Sequence, residues 1–115
     1  MIRVVVADDH PLLREGVRAL LAKADDIEVV GEAPDGPTAM LLASRLQPDV
    51  LVTDLAMPGA GGIAVLETLV RDGLPTHVIV LSMHGDDALV GEALAKGAHG
   101  YVLKEAVTEE LLLAI

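Results

Sequence analysis

A chain of 115 residues, 52% hydrophobic and 23% charged, is long enough for one packed core, too short for two, and too apolar to stay disordered. It contains no cysteine, which excludes disulfides, thiolate zinc sites and thiol nucleophiles and fits a reducing compartment. A net charge of -10 makes the chain a poor direct ligand for DNA phosphates, and no apolar run reaches the roughly 18 residues of a membrane span.

Taken in chain order, Ile2 to Ala7 is a run rich in β-branched residues and predicts a strand. It meets Asp8 and Asp9 at once, which leaves no room for the hydrophobic stretch of a signal peptide, so a cytoplasmic location is expected. Behind Pro11, Leu13, Val17, Leu20, Leu21 and Ala24 recur at helical spacing. A second strand is predicted over Ile27 to Ala33. After the turn Pro34-Asp35-Gly36, Pro37 opens a helix with Ala39, Leu42, Ala43 and Leu46 on one face and Pro48 as its stop.

Val50 to Thr53 predicts a third strand, and a helix behind Gly61-Gly62 carries Ile63, Leu66 and Val70. Val78 to Leu81 predicts a fourth strand, followed by a helix from about Asp86 to Lys96 that stops at Gly97. Tyr101 to Leu103 is a weaker fifth strand, and Thr108 is the expected N-cap of a last helix in which Glu109 and Glu110 complement the dipole. Strict β-α alternation with nearly all-apolar central strands predicts a parallel sheet covered by helices on both faces, a doubly wound α/β fold.

In such a sheet, ligands bind outside the carboxyl ends of the strands. Asp8 and Asp9 follow the first strand, Asp54 the third, Ser82 the fourth and Lys104 the fifth, so all five polar groups fall on one edge. Three neighbouring carboxylates repel one another, and an oxygen-ligated divalent cation, Mg²⁺ above all, relieves that repulsion. A lysine and a hydroxyl beside the cation complete a cradle for phosphoryl oxygens, with Asp54 as the nucleophile because it stands alone at the end of a central strand. An aspartyl phosphate would result.

VVVADDHPLLREGV, PDVLVTDLAMPGAGG, VIVLSMHGDD and KGAHGYVLKEA, in that order and over the whole chain, resemble the response-regulator receiver domain of two-component systems, and most of all its NarL/FixJ branch, whose output is of the LuxR type. The resemblance implies a flavodoxin-like five-stranded sheet in the order 2-1-3-4-5. It implies phosphorylation of Asp54 by a sensor histidine kinase, Mg²⁺ on Asp9, Asp54 and the carbonyl of Ala56 with Asp8 acting largely through water, and Ser82 and Lys104 on the phosphoryl oxygens. It further implies a switch in which Ser82 moves toward the phosphate and Tyr101 changes rotamer. Met57-Pro58 and Gly62 match the loop that turns a carbonyl toward the metal, while Glu105 stands where much of the superfamily has proline.

Residues 1–115 are accordingly expected to be one receiver domain, cut within or just after helix five, whose DNA-binding helix-turn-helix domain is absent from this sequence. The expected output is transcription regulation, with a homodimer on phosphorylation, DNA contact only through the missing domain and no membrane. Helices one and five, or helix four and strand five, would form the dimer. The apolar end Leu111 to Ile115 reads either as a truncated helix or as a dimerisation surface. Catalysis is expected only as self-phosphorylation and autodephosphorylation. A phosphatase with an aspartate nucleophile would use the same groups but needs a second aspartate where Ala56 stands, and a degenerate receiver would have lost an acidic residue or the lysine. His10, His77, His84 and His99 lack metal-ligand spacing on a shared helix face and read as surface or supporting residues.

Overall fold

The computed structural model describes residues 1–83 and 87–115. Five strands, β1 (Ile2–Ala7), β2 (Ile27–Ala33), β3 (Val50–Asp54), β4 (His77–Ser82) and β5 (Gly100–Leu103), alternate with α1 (Pro11–Ala22), α2 (Gly36–Leu46), α3 (Gly62–Arg71), α4 (Asp87–Ala95) and α5 (Val107–Ala114). The strands are all parallel, in the order β2-β1-β3-β4-β5. This is the doubly wound arrangement that the alternation of elements predicts, in the flavodoxin-like strand order that the family resemblance implies.

The near-continuous apolar strands serve two cores at once. In β1, Val5 and Ala7 pack toward Ala39, Ala43, Val65, Leu66 and Leu69 of α2 and α3, whereas Val4 and Val6 pack toward Val17, Leu21 and Leu111 of α1 and α5. The period of two continues through β3 and β4, where Leu51, Val78 and Val80 join the first cluster and Val50, Val52, Ile79 and Leu81 the second. Each strand therefore reads as uninterrupted hydrophobic sequence because both of its faces are covered.

Three expectations need correction. α5 begins at Val107 with Ala106 at its N-cap and no side-chain capping bond, so Thr108 lies inside the first turn. The reason is a 3-10 turn, Lys104–Ala106, that carries the chain from β5 into the helix and takes over the entry. In α3 the buried face is Val65, Leu66 and Leu69, and Val70 is 57% exposed. α1 ends at Ala22, so Ala24 packs against the core from beyond the helix. The predicted helix-four start at Asp86, and His84, lie outside the described residues. Leu111 is fully buried whereas Leu113 is 86% exposed, so α5 is one-sided despite its apolar sequence. Among the described residues no helix is long and apolar enough to cross a membrane.

Candidate functional site

Strand register brings the polar groups together. Ala7 pairs with Thr53, so Asp8 and Asp54 leave the sheet at the same level. Asp54 pairs with Leu81 and Ser82 with Leu103, which puts Ser82 and then Lys104 successively further along the same edge. Parallel strands with staggered ends thus gather residues 50 positions apart in sequence, as in the Lys104 Nζ to Asp54 Oδ2 hydrogen bond of 3.0 Å.

Asp8 is fully buried and its backbone is held from two sides. Its N–H donates to the Ala33 carbonyl at 3.0 Å, and Arg14 Nη1 donates to its own carbonyl at 2.7 Å. Arg14 is in turn paired with Glu32 at 3.4 Å. Asp8 Oδ2 lies 3.7 Å from Lys104 Nζ but has no hydrogen-bond partner among the described residues, and neither has the buried Oδ1 of Asp9. Buried oxygens left in this way are costly unless something else satisfies them.

Asp54 is 3% exposed, with Oδ1 accepting the Ala56 N–H at 3.3 Å and Oδ2 accepting from Lys104. Burial pushes its carboxyl above the usual carboxylate range, with the charge of Asp8 adding to the rise and the hydrogen bonds from Lys104 and Ala56 opposing it. Gly62 allows this strand end to form. Its N–H donates to Leu55 at 3.0 Å, and a Cβ there would stand 2.5 Å from the carbonyl oxygen of Asp54. In this loop the left-handed backbone belongs to Gly59, at φ +81°, so Gly62 acts through close approach and not through an unusual dihedral. Ala56 is exposed beside Asp54.

Ser82 is 1% exposed, and its Oγ has no hydrogen-bond partner among the described residues. With Met83, Lys104 and Glu105 it lines a cavity of about 170 Å³. On its other side a groove of about 250 Å³ runs between β5 and α4, past Val90, Leu94, Leu103 and Tyr101. Tyr101 is 51% exposed and lines the edge of this groove, with Ser82 common to both spaces. No cis peptide occurs among the described residues, and Lys104-Glu105 enters the 3-10 turn directly.

Asp8, Asp9 and Asp54 converge as expected, and a fourth group joins them. Ligand atoms of Asp8, Asp9, His10 and Asp54 all lie within 4.8 Å of one another. An oxygen-rich set with two orphaned carboxylate oxygens fits a hard divalent cation. Reading the histidines for helical ligand spacing missed His10, because it reaches the cluster from the strand-to-helix turn. Arg14 was also missed. The available signal was its position one helical turn beyond that junction.

The model of the response regulator receiver domain matches residues 4–115. The chain is 43% identical over 114 residues to the "Probable transcriptional regulatory protein NarL" of Mycobacterium tuberculosis, covering 99% of this chain and 53% of that protein. It is 42% identical over 112 residues to the nitrate/nitrite response regulator protein NarL of Escherichia coli, covering 97% and 52%. Among solved structures, the signal receiver domain of the response regulator NarL from Mycobacterium tuberculosis superposes with a TM-score of 0.89 at 42% identity, covering 98% of this chain and 95% of that one. The chain therefore spans about half the length of the curated relatives it matches.

Proposed function

The chain belongs to the response regulator receiver domain family, NarL-type relatives included, and on that premise we propose that it is a phosphorylation switch in which Asp54 takes a phosphoryl group from a sensor histidine kinase. The observation that carries this reading is the placement of Asp54, buried at the end of a central strand with Lys104 Nζ 3.0 Å from its Oδ2. One carboxylate oxygen of Asp54 bonds to phosphorus as the donor's P–N bond breaks and its electron pair leaves with the imidazole, giving an acyl phosphate.

Lys104 then exchanges its bond to the carboxylate for one to a phosphoryl oxygen, and the unpartnered Ser82 Oγ donates to another. Mg²⁺, held by Asp9, Asp54 and the Ala56 carbonyl with Asp8 acting through water, would neutralise charge on the phosphoryl oxygens. As Ser82 turns toward the phosphate, Tyr101 enters the groove behind it and alters the face of α4 and β5. The domain turns over no other substrate: its chemistry is self-phosphorylation and autodephosphorylation. In the whole protein, half of which this chain matches in its relatives, the output is a helix-turn-helix DNA-binding domain. Phosphorylation drives homodimer formation in the cytoplasm.

The test is incubation of the wild-type chain and Asp54→Asn with acetyl phosphate and Mg²⁺, with an EDTA control, followed by intact mass. One phosphoryl adduct on the wild type alone, lost with EDTA, is expected. An adduct of equal yield on Asp54→Asn would remove the assignment of Asp54.

A further inference from the structure

His10 occupies the N-cap of α1, a position where a side chain ordinarily accepts hydrogen bonds from the first helical turn, yet it makes no capping bond. Its backbone N–H donates to Asp8 Oδ1 at 2.8 Å, a local turn that folds the ring back over the acidic pair. Nδ1 then stands 3.2 Å from Asp8 Oδ1 and 3.2 Å from Asp9 Oδ1. The second of these approaches is not a hydrogen bond, since the buried Asp9 Oδ1 has no partner, and Oδ2 of the fully buried Asp8 is likewise unsatisfied.

The spacing of Nδ1 from Asp9 Oδ1 suits two atoms sharing one ion. Metal–oxygen and metal–nitrogen bonds of about 2.1 Å place adjacent ligands of an octahedral ion about 3 Å apart and opposite ones about 4.2 Å apart. The 3.2 Å separation from Asp9 Oδ1 and the 4.8 Å limit over all four residues are close to this frame, whereas the approach to Asp8 Oδ1 is a hydrogen bond. Carboxylate oxygens serve Mg²⁺ and Mn²⁺ alike, but an imidazole nitrogen favours the borderline transition ions, and Mg²⁺ gains least from it.

We propose that His10 Nδ1 is a ligand of the cation at Asp8, Asp9 and Asp54, and that it shifts the site's preference from Mg²⁺ toward transition ions that accept an imidazole nitrogen, with Mn²⁺, the hardest of them, as the ion tested. The inference rests on the reading of the acidic cluster as a divalent-cation site.

The test uses the whole chain, titrated with Mn²⁺ and, in competition, with Mg²⁺, and read by electron paramagnetic resonance with electron-spin-echo detection of nitrogen coupling. Wild type is expected to show a directly bound nitrogen whose coupling changes on labelling with ¹⁵N-histidine, and His10→Ala is expected to lose it. Removing even a group that supports a ligand costs roughly 10–100-fold in metal affinity, so the Mn²⁺ over Mg²⁺ preference should fall by about tenfold or more in His10→Ala. The His10 side chain is 65% exposed, and His10→Gln provides a second variant of similar size. Mn²⁺ bound without nitrogen coupling in wild type, or coupling that persists in His10→Ala, would overturn the role of His10 and leave the acidic site standing. Failure of wild type to bind either ion would overturn the cation site itself.

Discussion

Asp54 holds its charge where water does least to support it. Burial is the largest influence on its carboxyl and drives it up, Asp8 adds repulsion, and the bonds from Lys104 and Ala56 only oppose the rise. A carboxyl raised in the folded state contributes stability that is complete below its unfolded value and is lost as pH rises through the folded value, so at neutral pH ionised Asp54 is a burden on the fold. Asp54→Asn should therefore raise the Tm in EDTA, by about 3–6 °C if the gain is roughly 1 kcal/mol in a domain of this size. Added divalent cation should stabilise wild type more than the variant. A lower Tm for Asp54→Asn in EDTA would mean that the Lys104 bond outweighs desolvation. At this scale the acidic residues and Lys104 were legible because each directly follows an apolar strand. Their partners were not. Arg14 meets the Asp8 carbonyl through a long flexible side chain, and His10 reaches the cluster through a turn. Periodicity records which face of an element is buried and carries no information about where a turn directs a side chain.

Element by element, strands covered on both faces left the clearest trace, and β1 and β2 have the bounds their β-branched runs predict. The last helix entry was harder to read, because Thr108 has the chemistry of a cap while a 3-10 turn over Lys104–Ala106 leads into the helix before it. The start of the β4·β5 ladder holds another feature invisible to pattern. The His99 N–H donates to the Val78 carbonyl at 2.8 Å, while the Val78 N–H donates to His99 Nδ1 at 3.1 Å, so an imidazole nitrogen supplies one rung. The ring stacks on His77 with centroids 4.1 Å apart. Burial, and after it the charge of His77, lowers the His99 pKa from its usual value of 6.5. A histidine lowered in the folded state contributes stability present above its unfolded value and lost as pH falls through the folded one, because the protonated ring can no longer accept from Val78. Thermal unfolding followed from about pH 7.5 down to about pH 5 should show the Tm of wild type falling faster than that of His99→Ala, with the gap closing below the ordinary histidine range. Parallel curves would show that protonating His99 does not weaken this strand end.

Across the whole molecule, the proposed switch links two spaces that share one buried hydroxyl. Ser82 faces the Lys104 cavity on one side and the Tyr101 groove on the other, so turning its Oγ toward a phosphoryl group opens room on the side where Tyr101 now stands 51% exposed. A packed interior resists gradual deformation, and in the proposed switch two discrete rotamers of Ser82 and Tyr101 would give the domain two states. Moving such an equilibrium from 1:99 to 99:1 takes about 5.5 kcal/mol of differential interaction, to which the new charge-assisted bond from Ser82 contributes and the exchanged bond of Lys104 adds only a difference. The sequence contains one tyrosine and no tryptophan or phenylalanine, so tyrosine fluorescence reports Tyr101 alone. Acrylamide, being uncharged, avoids the repulsion that a net charge of -10 would exert on an anionic quencher. Phosphorylation with acetyl phosphate and Mg²⁺ should reduce quenching of Tyr101 as the ring enters the groove. Ser82→Ala should still accept the phosphoryl group on Asp54 but show a smaller change, because it lacks the bond that draws residue 82 toward the phosphate. Lys104→Ala should likewise label while losing most of the change. Equal quenching before and after stoichiometric labelling of wild type would separate phosphorylation from Tyr101 and place the output on another face.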